Sequence, residues 1–330
     1  MFTRENASQL RDSLAPIRFG LSNPTMAADD SPLLQQYKAH YGLSFSAFDT
    51  PVHHVFGTIE SRSFQLVCQY FSVPGTEQKG TAFLLHGYFD HAGIYGHLIR
   101  QCLQQGLAVV ILDLPGHGLS SGTVGSIDSF AQYTKALVDC LCLAESQLVN
   151  KPWSLIGQST GGAVIIDTLL SSDLIATYTF EHVVVLGPLL RPRHWRRNKL
   201  LFLLTRRFTN STSRKFSVNS HDKEFLQFLQ HHDQLQSRYL SADWIDAMIH
   251  YQNRFRKAPQ SNQLLHIIQG SGDGTVDWQY NLPKLQQKFP AAKTYMIAGA
   301  RHHLVNELPE YRNKVFSVLD EILKSNQSEM

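Results

Sequence analysis

At 330 residues the chain is long enough for one large α/β domain or two smaller ones. Its 43% hydrophobic and 17% charged residues, with no low-complexity tract, exclude a disordered chain. The formal net charge of +3 is too small to imply a nucleic-acid partner, and none is expected. Cys68, Cys102, Cys140 and Cys142 have neither metal-ligand spacing nor the framework of a small secreted scaffold. Free thiols in a reducing compartment are the expectation.

Met1 to Gly20 carries Arg4, Glu5, Arg11, Asp12 and Arg18 and no apolar h-region, so a signal peptide is not expected. Nothing approaches the ~18 uninterrupted apolar residues of a spanning helix. These features predict a cytoplasmic protein that visits a membrane surface only peripherally. Residues 1–50 read as an N-terminal extension, loosely ordered over 1–30. Ser31 to Tyr41 reads as a short amphipathic helix with Ser31 as cap and Pro32 at its first position. His53 to Ile59 and Ser63 to Val73, closed by the turn Pro74-Gly75-Thr76-Glu77, predict an antiparallel pair at a sheet edge.

From Thr81 the pattern becomes strand and helix in alternation. Ala82–Leu85, Ala108–Leu112, Trp153–Ile156, Val183–Leu186 and Leu264–Ile268 are short, unalternated apolar runs, as strands buried on both faces of a parallel sheet require. Helical stretches lie between them at Ser129 to Leu148 and Gly162 to Ser171. A last strand, Lys293 to Ile297, precedes a helix from Leu308 to Lys324. The order predicts a doubly wound α/β fold that binds ligands at the carboxyl ends of its strands. Residues 188–260 break the rhythm and read as a helical cap between core segments 51–187 and 261–330, without strands. Its helical pieces are Asn198–Phe208, Asp222–His231 and Ala242–Arg256. The cap holds fourteen Lys and Arg against five Asp and Glu, a net +9, which leaves −6 for the remainder.

Gly157-Gln158-Ser159-Thr160-Gly161 follows the Trp153 run and precedes a helix, the setting of a nucleophile elbow. Serine acyl transfer needs a base, an acid to orient it and donors for the oxyanion, in the chain order Ser, acid, His. Asp273, in the loop after Leu264–Ile268, is the acid candidate. Asp277 is its competitor, better suited to cap the next helix. His302 and His303 follow the final strand, and spacing does not choose between them. Tyr88, after His86-Gly87, and Thr160, after the serine, are placed to supply oxyanion N–H groups. His86 reads as structural.

His86-Gly87-x-x-x-His91, Asp113-Leu114-Pro115-Gly116-His117-Gly118, Gly157-x-Ser159-x-Gly161, Gly270-Ser271-Gly272-Asp273 and Gly299-Ala300-Arg301-His302-x-Leu304 occur in that order. Together these blocks resemble the monoacylglycerol lipase and lysophospholipase branch of the α/β-hydrolases, a serine aminopeptidase-like family. The resemblance covers roughly residues 53–187 and 261–325 and continues into Asn306-Glu307-Leu308-Pro309-Glu310. It implies an α/β-hydrolase fold with a cap after the sixth strand. It also implies Ser159, Asp273 and His302 as catalytic residues, a structural Asp113 and His117, and no metal or organic cofactor. Gln158 and Thr160 stand where the family's lipases usually carry His and Met, a departure that touches the pocket.

The family's cap forms the acyl pocket and helps docking at interfaces. Here Leu200-Leu201-Phe202-Leu203-Leu204 lies among Arg196, Arg197, Lys199, Arg206 and Arg207. Two readings stand: a helix on an anionic membrane or a phosphate-bearing lipid, or one packing its apolar side on the cap. The basic cap disfavours a cationic amine substrate. The expected activity is serine ester hydrolysis of a monoacyl lipid, a lysophospholipid or monoacylglycerol. A general carboxylesterase or an aminopeptidase-like hydrolase is the alternative. A non-catalytic binding protein of this fold fits less well, because all three candidate residues are present.

Overall fold

Alternation along each strand decides how the molecule is layered, because neighbouring side chains point to opposite faces of a sheet. In the computed structural model, which describes residues 1–19, 31–45, 48, 50–171 and 177–325, Ala82 and Leu84 enter one apolar layer while Phe83 and Leu85 enter the other. Both layers must be covered, and helices cover them.

The chain begins with α1 (Arg4–Ser13) and α2 (Pro32–Tyr41). Residues 1–19 are thus not the loose leader expected; residues 20–30 lie outside the described residues. Thr3 and Asn6 form a reciprocal capping box, with Asn6 N–H donating to Thr3 Oγ1 at 3.1 Å and Thr3 N–H to Asn6 Oδ1 at 3.0 Å. Asn6 stands where the usual pattern has Glu or Gln, which hides the motif in sequence. Phe2 is buried edge-on against Tyr37, with ring centroids 5.3 Å apart. Pro32 opens α2 as expected, but Ser31 makes no side-chain cap bond.

Strands β1 (His53–Ser61) and β2 (Phe64–Ser72) form the antiparallel edge pair. The leader seals that edge: Thr58 N–H donates to the Ala15 carbonyl at 2.9 Å and Ile17 N–H to the Thr58 carbonyl at 3.0 Å. Gly57 permits the approach, since a Cβ there would fall 2.4 Å from Ile17 Cα.

Then follow β3 (Gly80–Leu85), α3 (Gly96–Gln104), β4 (Leu107–Leu112), α4 (Phe130–Ser146), β5 (Trp153–Gln158), α5 (Thr160–Ser171) and β6 (Phe180–Leu186). The cap inserted after this sixth strand contains α6 (Trp195–Thr205), β7 (Ser211–Ser213), α7 (Lys223–Gln227), β8 (Tyr239–Ser241) and α8 (Ala242–Lys257). The chain returns through β9 (His266–Gly270), α9 (Trp278–Lys288), β10 (Lys293–Ile297) and α10 (Pro309–Lys324). One eight-stranded sheet results, in the order β1-β2-β4-β3-β5-β6-β9-β10, parallel except where β2 meets β1 and β4. This is the α/β-hydrolase fold. Helices α1, α2, α3 and α10 pack on one face, and α4, α5, α8 and α9 on the other.

The cap differs from expectation in one respect, and it favours one of the two readings of its leucine run. It contains strands: β7 and β8 pair antiparallel, Ser211 opposite Ser241. Ser-Thr-Ser has no apolar signature, so only its distant partner defines that strand. Helix α6 does not pack its leucines inward. Trp195 is buried, whereas Leu200, Leu201, Leu203 and Leu204 are 62%, 59%, 47% and 67% exposed. Among the described residues, no helix is long and apolar enough to cross a membrane.

Candidate active site

Ser159 lies between β5 and α5 with φ at 54°, a left-handed conformation that L-residues adopt only when the surroundings impose it. Its N–H donates to the Leu186 carbonyl at 2.8 Å. Its own carbonyl accepts from Ala163 at 3.0 Å and Leu189 at 3.1 Å. The flanking glycines are required by close approach: a Cβ on Gly161 would fall 2.2 Å from the Leu85 carbonyl oxygen, and one on Gly157 would fall 2.6 Å from Gly161 C.

Asp273 sits in the loop after β9, and His302 in the loop after β10. His302 Nε2 is 2.9 Å from Ser159 Oγ, and its Nδ1 is 2.7 Å from Asp273 Oδ2. A carboxylate accepts only, so Nδ1 carries the proton and Nε2 is left to accept from the serine hydroxyl. Asp273 is itself held by N–H groups of Thr275 at 2.8 Å and Val276 at 3.1 Å, and by Gln269 Nε2 at 3.0 Å. Burial pushes its carboxyl up, but the His302 charge and these hydrogen bonds outweigh that and hold it below its ordinary value. Burial pushes His302 down, but the charge and hydrogen bond of Asp273 prevail and raise it.

The competitor Asp277 is elsewhere. It stands at the start of α9 without a side-chain cap bond and pairs with Arg191 at 2.9 Å, joining cap to core. His303 is also apart from the serine. It is buried with Nε2 3.2 Å from Asp90 Oδ2, and its N–H donates to the Asn219 carbonyl at 2.8 Å. Tyr95 OH donates to Asp90 at 3.0 Å and accepts from Gly87 N–H at 3.0 Å. Asp90 therefore connects the loop after β3 with the loop that carries His302. Burial would raise its carboxyl, yet the charge and hydrogen bond of His303 bring it below its ordinary value.

Tyr88 and Thr160 line a cavity of about 210 Å³ together with Ser159 and His302. The Gly87 loop runs over the serine, since a Cβ on Gly87 would lie 3.6 Å from Ser159 Cβ. The ring of Tyr88 stacks on Trp244 of α8 with centroids 3.8 Å apart, which couples this loop to the cap. His86 Nε2 accepts from Leu114 N–H at 2.9 Å, and Nδ1 faces the Gly87 carbonyl at 2.7 Å. Burial pushes it down to about 3, so it is a neutral loop brace. Asp113 accepts from Ala92 N–H at 2.7 Å and Leu119 N–H at 2.9 Å, again bracing loops.

Several residues at the site take their roles from partners distant in sequence. Gln158 is buried and donates through Nε2 to the His302 carbonyl at 2.8 Å. Glu307 accepts from the N–H groups of Arg301 and His221, both at 2.7 Å, and so ties the His302 loop to the cap. His91 Nε2 lies 3.1 Å from Asp233 Oδ2. The other oxygen of Asp233 accepts from Tyr41 OH at 3.0 Å. Arg4 donates to the carbonyls of Leu235 at 3.0 Å and Gln236 at 2.7 Å. The N-terminal extension is thereby built into the cap. Among the described residues no group of three His, Cys, Asp or Glu side chains is placed to hold a metal ion.

A capped α/β sheet with a serine at a strand-to-helix elbow, in line with a buried histidine, defines a serine hydrolase of α/β-hydrolase type. The model of the serine aminopeptidase S33 family matches residues 76–309, and the chain belongs to that family. It is 24% identical over 263 residues to a monoglyceride lipase homolog of monkeypox virus, covering 77% of this chain and 92% of that one. It is 29% identical over 259 residues to the monoglyceride lipase of Mus musculus, covering 76% and 84%. Its fold is similar to a soluble variant of monoglyceride lipase from Saccharomyces cerevisiae solved with a substrate analog, with a TM-score of 0.71, 19% identity and coverage of 84% and 96%.

Proposed function

We propose that the protein is a serine ester hydrolase that cleaves a monoacyl lipid, a monoacylglycerol or a lysophospholipid, through an acyl-enzyme on Ser159. The hydrogen-bonded line from Ser159 through His302 to Asp273 carries this reading. Ser159 Oγ attacks the ester carbonyl while His302 Nε2 takes its proton, and Asp273 stabilises the imidazolium. The N–H groups of Tyr88 and Thr160 receive the oxyanion, each such donor contributing about 3–4 kcal/mol at the transition state. His302 returns the proton to the alcohol oxygen as the C–O bond breaks, leaving the acyl group on Ser159. Water then attacks that carbonyl, His302 takes its proton, and collapse releases the acid while Oγ regains a hydrogen.

Relatives named as monoglyceride lipases support a lipid ester. So do the apolar Leu189, Leu240, Trp244 and Val276 in the cavity wall. Arg214 and Lys215 line the same cavity, and its Asp90 is engaged by His303, which counts against an aminopeptidase's cationic substrate. The exposed leucines of α6 support docking on a lipid surface. Free Cys68, Cys102, Cys140 and Cys142 support a cytoplasmic setting.

The test is hydrolysis of monoolein and lysophosphatidylcholine, beside a chain-length series of p-nitrophenyl esters and aminoacyl amides, by wild type and Ser159→Ala. The reading expects long-chain ester turnover that vanishes with the serine. Activity retained in Ser159→Ala sinks the mechanism. A preference for acetyl esters or aminoacyl amides sinks the substrate class.

A further inference from the structure

A second cavity, of about 560 Å³, lies between α6, the end of α8 and α9, and shares no lining residue with the cavity over Ser159. Arg191, Arg196, Lys199, Arg256, Lys284 and Lys288 line it, and no carboxylate does. Asp277 is committed to Arg191. Among the described residues no acidic side chain pairs with the other five cations. Bringing these five further positive charges to one concavity costs energy unless an anion neutralises them.

The walls are built rather than loose. Trp195 Nε1 donates to Gln252 Oε1 at 2.9 Å, and Gln252 Nε2 donates to the Leu190 carbonyl at 2.8 Å. Arg191 lies over the Tyr280 ring at 4.1 Å, and Lys288 over Phe255 at 5.4 Å. The volume suits a small organic ligand with an apolar part as well as charge.

We propose that this cavity binds the phosphate monoester headgroup of an anionic lipid. A phosphate monoester carries about −1.5 to −2 charges near neutrality and offers three acceptor oxygens, which matches a mixed cluster of arginine and lysine. Helix α6 points to a lipid rather than a soluble ester. Leu203 follows Lys199 by one helical turn, so it continues the cavity's face of the helix, and it is 47% exposed. A headgroup seated at Lys199 would leave its acyl chains beside Leu203. A soluble phosphate ester would make no use of that residue. The proposal deepens the docking reading of α6 and rests on it; the ester chemistry at Ser159 is not involved.

The experiment compares binding of the full chain to phosphatidylcholine vesicles with and without phosphatidate. Wild type is expected to bind phosphatidate vesicles about a hundredfold more tightly, and Arg196→Ala/Lys199→Ala/Arg256→Ala to return to the neutral-vesicle level. Leu200→Ser/Leu204→Ser, by contrast, should weaken binding to neutral vesicles. Unchanged melting curves and p-nitrophenyl butyrate turnover would show that the variants are folded. Wild type binding both vesicles alike overturns the phosphate site, whereas wild type binding neither overturns the docking reading beneath it. Phosphatidylserine vesicles of matched charge binding as tightly as phosphatidate would reduce the effect to surface charge and overturn the site. Competition by sn-glycerol 3-phosphate as strong as that by dioctanoyl phosphatidate would overturn the lipid source.

Discussion

Gln158 Nε2 donates to the main-chain carbonyl of His302 at 2.8 Å, so the side chain just before Ser159 fixes the backbone of a histidine 144 residues away. The bond is buried. Gln158→Leu keeps most of the volume but leaves that carbonyl without its donor. A small displacement of His302 relative to Ser159 is expected to lower kcat by about ten- to a hundredfold, with KM little changed. Steady-state kinetics on a soluble p-nitrophenyl ester checks this, and an unaltered kcat would remove Gln158 from the positioning role.

The coupling of His302 to Asp273 sets the pH dependence. In the proposed mechanism neutral imidazole is the working base, and Asp273 raises His302 above its ordinary value of about 6.5. Activity should therefore climb with pH through that raised value and level off above it. Asp273→Asn is expected to move this limb to lower pH and to cut the plateau by about four orders of magnitude. For stability the signs differ. His302 favours the fold below about pH 6.5, and its contribution is lost as pH rises through the raised value. Asp273, held low, contributes fully above about pH 4 and loses that as pH falls through its depressed value. A pH–rate profile of both proteins, with melting curves across pH, tests both signs.

Gly161 is a second point of failure. Its missing Cβ lets α5 pack against β3, since a Cβ there would fall 2.2 Å from the Leu85 carbonyl oxygen and 2.8 Å from that of His86. Gly161→Ala must push β3 and α5 apart, at an expected cost of about 3 kcal/mol or more. Thermal denaturation should show a clear fall in Tm together with loss of turnover. A normal Tm would mean that the elbow is more compliant than its contacts indicate.

The N-terminal extension should act on the cap. Arg4→Ala leaves the carbonyls of Leu235 and Gln236 without these partners, an expected loss of about 1–3 kcal/mol. Because Asp233, two residues before Leu235, holds both His91 and Tyr41, the loss should also loosen the cap. Limited proteolysis within residues 210–240 should become faster in Arg4→Ala than in wild type, with hydrolysis of a soluble ester retained. Equal cleavage rates would make the extension a separate appendage.

Local sequence was readable where a residue's role depends on its neighbours. The runs at Ala82, Ala108 and Trp153 became central strands because only uninterrupted apolar segments suit burial on two faces. It was unreadable where the partner is distant. β7 is Ser-Thr-Ser and exists through its pairing with β8. Asp277, the expected cap of α9, pairs across the chain with Arg191 instead. Thr3-x-x-Asn6 forms a capping box with an uncommon fourth residue, and burial of Phe2 against Tyr37 supports it. Gln158, a departure from the family pattern in sequence, is a clamp on the base loop in three dimensions.

By itself the sequence determined the order of strands and helices in the core, the elbow at Ser159, and the succession of serine, acid and histidine, because local periodicity and chain order encode these. Spacing left the histidine open and the family resemblance favoured Asp273 and His302; tertiary structure supplies the contact itself. Asp273 and His302 reach Ser159 from two loops at the carboxyl ends of adjacent strands, while Asp277 and His303 turn to Arg191 and Asp90. Hydrogen bonds act over about 3 Å, and no spacing along a chain specifies a distance of that size between residues brought together only by folding.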